Sequence, residues 1–146
     1  MPSNPPPNQS LGYLLADGLR LIRRDFRTRN VHLGLTPALA RLLYYIHREP
    51  GSRQADLAVL LDVSAVTLGR MLDRLALRNY IRRQQDALDR RATRIYIDAA
   101  GEPVVAQLAN IGLMTQNRAM KGLTSEERDQ LFTLLTRVQA NLRDDR

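Results

Sequence analysis

Apolar residues recur at Leu11, Leu15, Leu19, Ile22 and Phe26, spaced by four, four, three and four positions, which draws one apolar stripe along a helix. Arg20, Arg23, Arg24 and Arg27 fall on its other faces. Thr36-Pro37 reads as an N-cap followed by a first-turn proline. The helix it opens turns Leu39, Leu42, Leu43 and Ile46 inward and stops before Glu49-Pro50-Gly51. Ser52 is expected to cap a short helix through Leu60, with Leu57 and Leu61 inward. After the break Leu61-Asp62-Val63, Ser64 opens a helix to about Asn79, with Leu68, Leu72 and Leu75 on its core side. Two helices joined by so short a break make a helix-turn-helix candidate. The period then changes to that of strands at Ile81-Arg82-Arg83 and at Thr93-Arg94-Ile95-Tyr96-Ile97. The polar loop of residues 84–92 lies between them, and a hairpin directly after a helix-turn-helix is a wing. A helix from near Ala100 carries Val104, Val105, Leu108 and Ile111. Thr124-Ser125-Glu126-Glu127 fits a capping box opening a last helix with the stripe Leu131, Leu135, Val138 and Leu142. The pattern predicts a mainly α fold with a small β component, an α+β winged helix. Residues 1–9, rich in Pro and Asn, are expected to be disordered, and residues 10–146 to form one domain without internal repeat or linker.

Charge changes this picture. The chain of 146 residues carries a net charge of +7, with 21 Arg and one Lys against 15 acids. Residues 64–94 alone hold a net charge of +5, against +3 for residues 1–63 and −1 for residues 95–146. The excess therefore sits on the helix-turn-helix and its hairpin. An anionic partner follows, with nucleic acid first. The arginine abundance also fits a coding bias.

Catalytic and redox chemistry finds no support. Without Cys there is no disulfide scaffold, thiolate zinc site or thiol nucleophile. The two histidines, His32 and His47, lie fifteen positions apart with no acidic cluster at metal spacing. No nucleophile elbow, phosphate loop or HExxH motif occurs. The sequence is thus not read as an enzyme, and no cofactor or metal is expected. The longest apolar run is five residues, too short for a membrane span, and Pro2-Ser3-Asn4-Pro5-Pro6-Pro7 does not resemble a signal peptide. A cytoplasmic location is expected.

The helix opened by Ser64 has a polar face of Thr67, Arg70 and Arg74 at helical spacing, so one groove-facing surface holds all three. Arg forks onto guanine edges, and Thr contacts base edges or a thymine methyl. Ser64 can cap the helix, contact phosphate, or do both. A solvated surface helix with Asp73 nearby would look the same. Gly69 inside this helix allows close approach to DNA, or is simply a tolerated small residue.

Three segments resemble the MarR family of winged-helix transcription regulators, and the resemblance extends over roughly residues 11–142. The most specific is Asp86-Ala87-Leu88-Asp89-Arg90-Arg91-Ala92-Thr93-Arg94-Ile95-Tyr96-Ile97, similar to the family's wing signature. The second is Asp62-Val63-Ser64 through Leu75, similar to its recognition helix and lead-in, and the third is Leu35-Thr36-Pro37. The family's usual Leu-Thr-x-x-Gly after the wing is replaced by Ile97-Asp98-Ala99-Ala100-Gly101, where Asp98 is still expected to cap the following helix. The resemblance implies that Arg91 enters a minor groove and that Asp89 orients it, with Arg90, Arg82, Arg83 and Arg94 as phosphate contacts or supports. Asp89 can equally be a turn residue satisfying its own loop. It further implies a homodimer joined through residues 10–34 and 100–146, with residues 36–98 as the DNA-binding lobe.

The expectation is a sequence-specific DNA-binding regulator, a repressor on a pseudo-palindromic operator in double-stranded DNA. Family ligands sit between the dimerisation helices and the winged-helix lobe, where Tyr13, Arg24, His32, Tyr44, Tyr45 and His47 offer aromatic walls and positive charge. They imply release by a small aromatic or phenolic anion or its thioester. The same tyrosines at helical spacing also suit a core. An effector-independent or non-specific DNA-binding protein, or a protein-interaction module, is the alternative.

Overall fold

The computed structural model describes residue 6 and residues 9–143. The expected disordered segment of residues 1–9 therefore lies, apart from residues 6 and 9, outside the described residues.

Helix α1, Leu11–Arg29, opens on Ser10, whose hydroxyl accepts the Tyr13 N–H. Its apolar stripe faces outward, with Leu11, Leu15, Leu19 and Ile22 exposed and Phe26 packed on the core edge. Helix α2, Pro37–Arg48, begins as expected, with the Thr36 hydroxyl accepting the Leu39 N–H and proline in the first turn. Strand β1, Ser52–Arg53, stands where the short helix was expected to start. The Ser52 hydroxyl donates to the Glu49 carbonyl at 2.6 Å, so it closes a turn and caps nothing. Helix α3, Gln54–Leu61, follows without a side-chain cap and ends at Asp62 in a left-handed conformation.

Helix α4, Ala65–Ala76, is capped by Ser64. It stops three residues short of Asn79, because Asn79 takes a positive φ of 57° and the Tyr80 N–H returns to the Leu75 carbonyl. Strands β2, Ile81–Gln85, and β3, Thr93–Ile97, pair antiparallel from Ile81 opposite Ile97 to Gln85 opposite Thr93. β3 also pairs with β1, giving a sheet of order β1-β3-β2. Helix α5, Glu102–Ala119, starts after Gly101. Asp98 does not cap it: its carboxylate accepts the adjacent Ala99 N–H, and only its backbone carbonyl takes the Gly101 and Glu102 amides. Helix α6, Ser125–Arg143, carries the expected capping box, with Thr124 and Glu127 bonded reciprocally.

The core is built where the apolar spacing placed it. Leu39, Leu42, Leu43, Ile46, Leu57, Leu68, Leu72, Leu75, Ile95 and Val105 form one buried cluster joining α2, α3, α4, β3 and α5. Helices α1 and α6 bury no residue. Asp25 ties α1 to α5: its carboxylate accepts from Arg29 at 2.7 Å, from Thr115 at 2.9 Å and from Arg118.

Candidate functional site

The first turn of α4 is locked by Ser64, whose hydroxyl accepts the Thr67 N–H at 3.1 Å and donates to the Thr67 hydroxyl at 3.0 Å. This fixes the start of the helix and leaves the Thr67 hydroxyl proton free to donate outward. Leu68, Met71, Leu72 and Leu75 bury the inner face, so Thr67, Arg70 and Arg74 stand exposed on the outer one. An added Cβ on Gly69 would meet only the Gln54 amide nitrogen at 3.9 Å, so internal packing does not require glycine there.

The arginines of this region divide into two groups. Arg83 donates to Asp73 at 2.7 Å and also reaches the Gly69 carbonyl, which fastens β2 to the outer side of α4. Arg94 donates to Asp86 at 2.7 Å and to the Gly51 carbonyl. Arg82 lies 4.4 Å over the Tyr96 ring, and Arg78 holds the Leu33 and Gly34 carbonyls. Arg83 and Arg94 are therefore supports. By contrast, the guanidinium groups of Arg70, Arg74, Arg90 and Arg91 are exposed and have no hydrogen-bond or ion-pair partner among the described residues.

The loop carrying Arg90 and Arg91 is organised by a residue that sequence reasoning passed over. Asp86 is 4 % exposed. Its carboxylate accepts the Leu88 N–H at 2.9 Å and the Asp89 N–H at 3.4 Å, together with Arg94 and Arg53. The Leu88 amide and the Arg94 guanidinium hold its carboxyl below the usual carboxylate range, against the opposing effect of burial. An acid at the head of the loop with an arginine eight positions on was the available signal. Asp89 accepts the Arg91 backbone N–H at 3.0 Å. It shapes the turn, the second of the two roles expected for it, and bonds Arg91 through the backbone and not through the guanidinium.

A cavity of about 750 Å³ opens between α1, α2 and α5. Of the six residues expected around a ligand, Tyr44 and His47 line it, whereas Tyr13, Arg24, His32 and Tyr45 do not. Arg23 takes the place expected for Arg24, one position and about 100° around α1. Tyr45 packs against the core beside Tyr44, and His32 reaches Gln107 at 3.3 Å. The walls are Leu19, Phe26, Val105 and Leu108, and at one end the His47 imidazole stands 3.8 Å from Glu102. Among the described residues, no helix is long and apolar enough to cross a membrane.

Residues 33–92 match the family model described as the MarR family. The whole fold matches a crystal structure of MarR at 28% identity and TM-score 0.85, over 96% of this chain and 95% of that one. It also matches CouR, a transcriptional repressor solved bound to a 23-mer DNA duplex, at 25% identity and TM-score 0.81, over 90% and 94% of the two chains. A third match is a mutant MarR from E. coli complexed with operator DNA, at 26% identity and TM-score 0.78, over 88% and 92%. The family model covers α2 to the wing loop, and the structural likeness extends this through the terminal helices: the chain is similar over nearly its whole length to the MarR family, whose members are transcriptional regulators and not enzymes.

Proposed function

We propose that the chain acts in the cytoplasm as a homodimeric, sequence-specific DNA-binding repressor, released from a pseudo-palindromic operator by a small aromatic or phenolic anion or its thioester. The observation that carries this reading is the set of four unpartnered guanidinium groups on α4 and the wing loop, set apart from neighbouring arginines that are bonded internally. Unpartnered arginines held by a fixed scaffold suit phosphate oxygens and guanine edges. Helix α4 enters the major groove, where Thr67, Arg70 and Arg74 meet base edges and Ser64 meets phosphate. Arg91 enters the flanking minor groove and Arg90 meets the backbone, on a turn shaped by Asp89. The relatives CouR and MarR were solved with DNA, which supports the same partner here.

Dimerisation through residues 10–34 and 100–146 accounts for the outward apolar faces of α1 and α6. The chain exposes 10920 Å² at a mass of 16.6 kDa. A folded monomer of that mass exposes about 7600 Å². The exposed apolar faces of α1 and α6 contribute to that excess, as an interface without its partner would. Tyr44, Arg23 and His47 around an apolar cavity suit an aromatic anion.

Selection of sequences from randomised duplexes, followed by footprinting at rising salt, tests the reading. One pseudo-palindrome with half-sites about one helical turn apart is expected to keep its footprint. Arg70→Ala is expected to relax one position per half-site at a cost of roughly 1–3 kcal/mol. Loss of all sites together would mark a non-specific binder, and the lack of any preferred sequence an interaction module. Aromatic carboxylates, phenols and coenzyme A thioesters that raise the melting temperature are expected to weaken operator binding by the factor with which DNA weakens theirs.

A further inference from the structure

The outer face of α4 is not uniformly polar. Val66, in its first turn, is 66% exposed and lies one turn before Arg70 on the same face. A β-branched residue on a solvent-facing helix position gains nothing from packing and has modest helix propensity. Its setting decides what can cover it. Arg70 stands one turn and Arg74 two turns further along the same face, both unpartnered, and the Ser64–Thr67 bonds hold its turn in place. An apolar protein surface laid over Val66 would bury those charges without partners, which is costly. A surface that is anionic overall and carries isolated methyl groups meets both requirements. The major groove is such a surface, because the thymine C5-methyl is the apolar group displayed among its hydrogen-bonding edges.

The geometry points to Val66 as a specificity-determining residue that reads a thymine methyl in each operator half-site. The inference rests on the DNA-binding reading above and adds a base to it. Four residues of helix rise about 6 Å, against about 3.4 Å per base step. The thymine therefore lies within about two base pairs of the position that Arg70→Ala relaxes.

The test uses the full-length protein and its selected duplex, with each thymine in that window replaced singly by deoxyuridine, which removes only the methyl group. At one position the wild type is expected to lose about fourfold in affinity per half-site, the worth of one buried methyl group. Val66→Ala is expected to bind the thymine duplex more weakly by a similar factor and to be indifferent to deoxyuridine there. Alanine favours the helix, so its melting temperature is expected to hold or rise. Unchanged wild-type affinity for every deoxyuridine duplex in the window would overturn the assignment while leaving DNA recognition intact. So would a Val66→Ala variant that keeps the deoxyuridine penalty. Failure to select any duplex would overturn the DNA-binding reading itself, and this inference with it.

Discussion

At the scale of single residues, the wing depends on a carboxylate that is buried within the protein. Asp86 gathers two loop amides, Arg94 from β3 and Arg53 from β1, so one buried side chain joins the loop to two strands of the sheet. Removing it leaves the Leu88 and Asp89 amides without their acceptor and frees Arg94 to compete for other anions. Asp89, which is exposed, closes only its own turn. Asp86→Ala is therefore expected to weaken operator binding more than Asp89→Ala, with faster hydrogen exchange at the Leu88 and Asp89 amides. Equal losses from the two variants, or unchanged exchange, would remove the organising role given to Asp86. The Arg94 spacing hints at a role for Asp86 but does not rank the two: both are acids in one polar loop, and their difference lies in burial and in the Arg53 contact from β1, more than thirty positions away.

At the scale of elements, two junctions carry the arrangement. Gly101 stands at the start of α5, where an added Cβ would come within 2.2 Å of the Tyr80 carbonyl oxygen and 3.0 Å of the Ile97 side chain. The Tyr80 carbonyl also accepts the Asp98 N–H, so neither side of the contact can move alone. Gly101→Ala is expected to cost about 2–3 kcal/mol by urea unfolding, as in an overpacked core; a loss under half of that would mean the junction relaxes freely. The second junction is Asp25 between α1 and α5. The Arg29 hydrogen bond first, then those of Thr115 and Arg118, draw its carboxyl down to about 2 from 3.8, against burial. A carboxylate more acidic in the folded chain stabilises fully above its unfolded pKa and loses this as pH falls through the folded value. Stability contributed by Asp25 is thus expected to fade from about pH 4 to about pH 2, and Asp25→Ala to flatten the unfolding curve across that window. The elements themselves were legible where their signals were local. Thr36, Ser64 and the Thr124–Glu127 box each bond within three residues. Strand β1 was not legible, because two residues become a strand only through pairing with β3. The site was legible to the same depth. The exposure of Arg70 and Arg74 followed from helical spacing and that of Arg90 and Arg91 from the wing resemblance, whereas the sorting of Arg83 and Arg94 into supports depended on acids brought near by the fold.

At the scale of the whole molecule, the winged-helix lobe and the terminal helices differ in what holds them. The buried cluster lies in the lobe and the first half of α5, and α6 contributes nothing to it. Leu131, Phe132 and Leu134 of α6 stay exposed, as do Leu11, Leu15 and Leu19 of α1. If those faces meet across a two-fold axis, the dimer is a device that links two lobes, and each lobe remains folded without it. Deleting residues 124–146 separates these roles. The shortened chain is expected to keep a cooperative unfolding transition, because no buried core residue is removed. It is expected to sediment as a monomer. Without the second lobe tethered nearby, its affinity for the full operator is expected to drop by about 10²–10⁴, the gain that linking two binding modules supplies. Its affinity for a single half-site, carried by α4 and the wing, is expected to match that of one lobe of the intact protein. A shortened chain that still sediments as a dimer and footprints the whole palindrome would place the dimer contact elsewhere. One that unfolds outright would show that α6 supports the lobe directly, against its lack of buried residues.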